Sequence, residues 1–185
     1  MIAFSRAYTY FQQINTELLG LSIDSNPSHL AWIYDIYCKT GIQLSFPIVA
    51  DRNGQIARKY GMISNDVSST ETVRNVFIID DKGIVRTIFV YPLNVGRFIP
   101  EIIRTVQALQ IADCSKGSTA ANWLPGQPVI VPAPKTFEEL QERQNYINQN
   151  QNGISWYLSF KESPENCLDN ASENSKSISK NSNCE

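Results

Sequence analysis

The stretch ETVRNVFIIDDKGIVRTIFVY, residues 71–91, carries two apolar runs around a turn. Val73, Val76, Phe77, Ile78 and Ile79 are β-branched and aromatic types that suit a pleated, half-buried surface, so residues 73–79 read as a strand. DDKG, residues 80–83, supplies turn chemistry, and IVRTIFVY, residues 84–91, returns antiparallel as a hairpin. Arg74 interrupts the first run. Side chains alternate faces along a strand, so Arg74 is expected on the core side with Val76 and Ile78. Two readings follow from the residue alone. Its stem lies along apolar surface while the head snorkels or meets a carboxylate, or its guanidinium waits for an anion.

Outward from the hairpin, the pattern alternates helix and strand. Residues 2–14 place Phe4, Ala7, Tyr8 and Phe11 on one helical face, and ELLGLSID, residues 17–24, reads as a buried strand. In SNPSHLAWIYDIYCKTG, residues 25–41, Asn26 can cap a helix, Pro27 sits in its first turn and Gly41 ends it. FPIVAD, residues 46–51, is a short strand, and Asp51 caps the helix in NGQIARKYG, residues 53–61. A helix is expected from Val95 to Ile111, with Phe98, Ile102, Val106 and Leu109 in its stripe. The order α, β, α, β, α, β, β, α is that of an α/β fold, most simply a parallel sheet with right-handed crossovers and a terminal hairpin. The opening strand of that order is missing. Met1 and Ile2 stand where a cap belongs, so roughly 40 or more further residues are expected upstream.

The chain has 185 residues, 42% of them hydrophobic, with a formal net charge of −2, which suits one domain plus an appendage. Basic residues are scattered, giving no footprint for nucleic acid or an anionic membrane. No apolar run approaches the ~20 residues that span a bilayer and no signal pattern opens the chain, so a cytoplasmic location is the default. Cys38, Cys114, Cys167 and Cys184 lack metal-ligand spacing, and with one histidine, His29, no metal site is expected. They read mostly as free thiols. Three zones divide the chain: residues 1–112 with periodic elements, 113–161 richer in Pro, Gly and Trp, and 162–185, a polar stretch expected to be disordered. In the middle zone Thr136 and Glu139 fit a capping box. Trp123, Leu124, Val129, Ile130 and Val131 suit either a local core or the anchors of an arm across a partner.

TELLGLSIDSNPSHLAWI, FPIVADRNGQIARKYGM, STETVRNVFIIDDKGIVR, YPLNVGR and TAANWLPGQPVIVPAPKTFEE together resemble the peroxiredoxins of the one-cysteine, long-tailed, AhpC/TSA-like subgroup, over roughly residues 1–161. The resemblance implies a thioredoxin-like fold, incomplete at the N-terminus, with a C-terminal dimerisation arm in residues 113–161. It implies a thiol peroxidase acting on hydrogen peroxide and alkyl hydroperoxides, drawing on a thiol reductant, without a cofactor, as a homodimer or higher homo-oligomer. Two family arginines map onto Arg74, in TVRNVFI, and Arg97, after the tyrosine-proline pair. Fixed positive charge there lowers a thiolate's pKa and steadies the peroxide oxygen that becomes anionic as the O–O bond breaks.

One departure is severe. The family's peroxidatic cysteine stands at the N-terminus of the helix with which this chain begins, so its position falls before Met1, together with the threonine and histidine of the pocket. Cys38 and Cys114 read as packing or incidental residues, Cys167 and Cys184 lie in the tail without a family motif, and His29 reads as structural or surface-exposed. Two classes of function compete: a thiol peroxidase seen by its C-terminal portion and inactive as written, or a non-catalytic peroxiredoxin-like interaction protein that keeps the arm and Arg74.

Overall fold

The computed structural model describes residues 1–63, 74–164 and 167. The chain divides into two compact units, Met1–Ile99 and Pro100–Glu185.

The first unit opens with α1, Ile2–Gln13, whose N-cap Met1 offers no side-chain acceptor. Phe11 and Ile14 are buried, and Tyr8 meets Phe46 with ring centroids 5.8 Å apart. β1, Gly20–Ser22, pairs in parallel with β2, Ile48–Ala50, and between them runs α2, Asn26–Thr40. The N-cap of α2 is Ser25, one residue ahead of the expected Asn26, because Ser25 takes the extended conformation and its hydroxyl accepts from the Ser28 N–H. Gly41 closes the helix in the left-handed conformation, as its missing Cβ allows.

His29 is the buried residue of α2. The single Ser22 hydroxyl proton goes to Asp24 Oδ2 at 2.5 Å, so His29 Nε2, 3.0 Å from Ser22 Oγ, must be the donor there. Its Nδ1 meets no protein partner. The histidine is structural, tying α2 to the end of β1.

α3, Gln55–Lys59, is a single short helix held by Asp51. Both carboxylate oxygens accept backbone N–H groups, Oδ1 from Ile56 at 3.1 Å and Oδ2 from Ala57 at 2.7 Å. The Asp51 N–H in turn donates to the Ser22 carbonyl, so one residue joins the strand pair to the helix.

β3, Arg74–Ile79, and β4, Val85–Tyr91, form the expected hairpin. Asp80 organises its turn, accepting from the N–H groups of Lys82 and Ile84 on Oδ1 and from Arg86 on Oδ2. Those donors, the Ile84 amide first, hold its carboxyl below the usual carboxylate range. A register shift between Ile78 and Ile79 brings Tyr91, not Val90, opposite Arg74. The single sheet expected from the element order is present as two ladders, β1–β2 and β3–β4. No strand among the described residues pairs with both β1 and β3, so each keeps an unpaired edge.

In the second unit α4 covers Ile99–Ser115, four residues later than the expected Val95–Ile111 at both ends. Pro100 stands in its first turn, where a fixed φ and a missing N–H cost nothing, and residues 92–95 form a turn closed by the Val95 N–H on the Pro92 carbonyl. Ile102 and Val106 of the expected stripe are buried, whereas Phe98 precedes the helix and is exposed. Ala108, Ile111, Trp123 and Val129 form the core cluster. Trp123 and Val129 therefore belong to a local core rather than to an arm's contact surface, and Leu124 is exposed. Arg104 forks onto Glu101 with two contacts of 2.7 Å and reaches the Trp123 carbonyl at 3.2 Å.

β5, Val129–Ile130, pairs with β7, Leu158–Lys161, which also pairs with β6, Gly153–Ser155. Gly153 is required there, since a Cβ would stand 2.7 Å from the Leu158 carbonyl. α5, Phe137–Asn150, begins at Thr136, whose hydroxyl accepts from the Glu139 N–H, and the Glu139 carboxylate accepts from the Lys135 N–H. The capping residues are those expected, with the return bond one residue further out.

Cys114 and Cys167 form a disulfide with Cα atoms 5.9 Å apart. This corrects the reading of the cysteines as mostly free thiols: of those described, only Cys38 is free, and it is exposed. Most of residues 162–185, including Cys184, lie outside the described residues.

Asp51→Ala should lower the unfolding free energy by about 1–3 kcal/mol, since one buried and one part-buried amide lose their acceptor. Asp51→Asn, which keeps one carbonyl oxygen, should cost less. Urea unfolding of the three chains checks the order.

Candidate active site

Arg74 and Arg97 come together in the first unit. Arg74 is the first residue of β3, and its Nη1 lies 3.5 Å from the carbonyl of Val95 in the loop after β4. Arg97 belongs to that loop, and its Nη2 lies 3.4 Å from the Asn75 carbonyl on β3. The two contacts are reciprocal: strand to loop, and loop to strand. Both are long for hydrogen bonds and leave most N–H donors of the two guanidinium groups unused.

Arg74 shares the strand face of Val76 and Ile78 by alternation, but at the strand's end it is exposed rather than core-facing. That corrects the expectation of a guanidinium set against the core. Arg97 is exposed as a residue, yet the surroundings crowd its head. This partial burial lowers its pKa, the neighbouring Arg74 charge adds to the lowering, and Tyr91 opposes it. Among the described residues neither guanidinium meets a carboxylate.

The start of α1 lies within the field of Arg97. The α-amino group of Met1 has a lowered pKa, through burial first and the Arg97 charge second. Arg97 therefore acts on the amide-rich end of a 12-residue helix whose first turn carries no acidic residue and no side-chain cap, and Arg74 acts on Arg97. Such a place stabilises an anion or a developing oxyanion.

The described cysteines lie in other settings. Cys38 is in the last turn of α2, with Lys39 beside it, and Cys114 is in the last turn of α4. No cluster of acidic, histidine and cysteine side chains among the described residues could hold a metal ion. No described helix is long and apolar enough to cross a membrane.

Residues 1–88 match the AhpC/TSA family, and residues 108–148 match the C-terminal domain of 1-Cys peroxiredoxin. A Peroxiredoxin 2 of Caldanaerobacter subterraneus subsp. tengcongensis is 52% identical over 160 residues, which cover 86% of this chain and 72% of that protein. The chain belongs to the peroxiredoxin family. A peroxiredoxin of Aquifex aeolicus is 44% identical over 167 residues, 85% of this chain and 74% of its own. Among solved structures, the yeast mitochondrial 1-Cys peroxiredoxin aligns with a TM-score of 0.71 at 34% identity over 87% of this chain and 77% of that one. A variant of the peroxiredoxin 6 of Arenicola marina aligns with a TM-score of 0.71 at 28% identity, over 88% and 78% of the two chains.

Peroxiredoxins are thiol-dependent peroxidases, and this chain shares their fold, a thioredoxin-like unit followed by the C-terminal domain. Sequence reasoning named the two arginines but not the acceptors that hold them, the carbonyls of Asn75 and Val95. Tyr91 was also missed, because the register shift that sets it opposite Arg74 leaves no mark in residue type.

Two like charges held together with no counter-ion among the described residues are expected to weaken the chain. Arg74→Met should raise the melting midpoint at low salt by a degree or two, for about 0.5 kcal/mol, with the gain lost near 1 M salt where the screening length is about 3 Å. Calorimetry at both salt concentrations checks this. A fall of several degrees at low salt would mean that the Val95 contact outweighs the repulsion.

Proposed function

We propose that Arg74 and Arg97 are the charge-stabilising pair of a thiol peroxidase site acting on hydrogen peroxide and alkyl hydroperoxides. The observation that carries the reading is the reciprocal tie that holds Arg74 and Arg97 together on main-chain carbonyls, with no carboxylate partner among the described residues, and with the Arg97 charge reaching the start of α1. The reaction has a use for each part. A thiolate attacks one peroxide oxygen, the S–O bond forms, the O–O bond breaks, and the departing hydroxide or alkoxide takes a proton. Positive potential favours the thiolate beforehand and the departing oxyanion during cleavage. The sulfenic acid returns to the thiol through a mixed disulfide, consuming two reductant thiols and releasing water. The yeast relative is resolved through glutathione and thioredoxin systems, which supports a thiol reductant here.

Among the described residues no thiol stands beside the arginines: Cys38 is in the last turn of α2 and Cys114 is bound in a disulfide, so the chain is expected to have negligible turnover. A homodimer is also part of the proposal, supported by the match to the 1-Cys peroxiredoxin C-terminal domain and by exposed Leu124, Phe137, Ile154 and Tyr157 in the second unit.

The test supplies the missing thiol. Ile2→Cys sets one in the first turn of α1, within the field of Arg97. Peroxide consumption coupled to dithiothreitol should be at background for the unmodified chain and measurable for Ile2→Cys. It should fall about ten- to a hundredfold when Arg97→Met is added. Turnover by the unmodified chain, or an Ile2→Cys rate indifferent to Arg97, overturns the assignment.

A further inference from the structure

The Cys114–Cys167 bond lies outside the arginine site and has a distinct environment. It closes a 53-residue separation between the last turn of α4 and the residues after β7. Cys167 packs against the core cluster of Ala108, Ile111, Trp123 and Val129, whereas Cys114 is exposed. A second tie lies beside it. Lys161 Nζ donates to the Ser115 carbonyl at 2.6 Å, fixing the end of β7 to the same helix terminus. Two fastenings six residues apart therefore hold this segment to α4, one ionic and polar, the other covalent and reducible.

We propose that Cys114–Cys167 is a reversible redox staple of the second unit, opened by dithiol exchange at the Cys114 sulfur. Exposure selects that sulfur. Cys114 is exposed, whereas Cys167 is partly buried against the cluster, so an incoming thiolate reaches Cys114 first. Attack there expels Cys167. In the first step a dithiol's thiolate bonds to Cys114 Sγ, the S–S bond breaks, and Cys167 leaves as a thiolate and takes a proton. The second reductant thiol then attacks the mixed disulfide and frees Cys114. The protein gains two electrons and two protons, and the dithiol becomes a disulfide.

Opening has a local consequence. Cys167 is no longer pinned to the cluster, while Lys161 still holds β7, so release begins after β7 and leaves the β5–β7–β6 sheet in place. The staple does not depend on the peroxidase reading, and its test separates the two.

The purified full chain, alkylated without reductant and digested, should yield one cross-linked peptide pair joining Cys114 to Cys167, with Cys38 alkylated. Titration in dithiothreitol buffers should convert that pair fully and reversibly. Reduction should lower the melting midpoint by roughly 5–15 °C, as expected for a loop of this length, and should speed cleavage by a glutamate-specific protease after Glu162. The double variant Cys114→Ser, Cys167→Ser should match the reduced protein and ignore dithiothreitol. Cys38→Ser should behave as the parent. Four alkylated cysteines in the unreduced protein, Cys114 joined to Cys38 or Cys184, or an unchanged midpoint and cleavage rate on reduction each overturn the proposal.

Discussion

The reciprocal tie between β3 and the loop that follows β4 is the constraint on which the site rests. Arg74 reaches from the strand to the Val95 carbonyl, and Arg97 reaches from the loop to the Asn75 carbonyl. Main-chain acceptors can hold cations without cancelling their charge, which a carboxylate would do. The geometry therefore keeps two positive heads near each other and available. It needs the hairpin register, since the shift at Ile78 and Ile79 sets Tyr91 across from Arg74, where its field opposes the lowering of the Arg97 pKa. It also needs the Asp80 turn, which fixes where β4 begins.

The second unit is stabilised on other terms. Its buried apolar core is Ile102, Val106, Ala108, Ile111, Trp123 and Val129. Directed bonds extend it: the Glu101–Arg104 fork, which continues to the Trp123 carbonyl, the Trp123 indole N–H on the Gln127 carbonyl at 2.9 Å, and Arg143 on the Ser159 hydroxyl at 3.0 Å. Covalent closure adds to these bonds, because a cross-link restricts the unfolded chain more than it alters the folded one.

Local chemistry was the legible part of the sequence. The hairpin, the Gly41 stop, the Asp51 cap and the Thr136–Glu139 start all follow from residue types within a few positions of one another. Nearby choices between similar residues were harder. Ser25 and Asn26 are both good caps, and backbone conformation, not side-chain type, decided for Ser25. The start of α4 was set too early because Phe98 fits the apolar spacing, whereas Pro100 marked the true first turn. The Cys114–Cys167 pairing was not legible at all. Spacing says nothing about which cysteines meet across a fold, and an acidic α/β chain with no secretion pattern favours thiols over disulfides. The arginines became readable only through the family resemblance, since a lone arginine in an apolar strand has an ordinary structural explanation.

The placement of the thiols sharpens what the site is. Cys38 and Cys114 both occupy the last turn of a helix, Cys38 in α2 and Cys114 in α4. Such a turn presents unsatisfied carbonyls rather than amide donors. Arg97, with Arg74 beside it, acts on the opposite kind of place, the amide-rich start of α1. Positive potential and sulfur are thus separated along the sequence and by helix polarity alike. Among the described residues the two guanidinium groups stand together where no cysteine does, which is the arrangement that the proposed anion site requires. A thiolate introduced at the first turn of α1 would stand in the field of Arg97, whose guanidinium is already held by the Asn75 carbonyl.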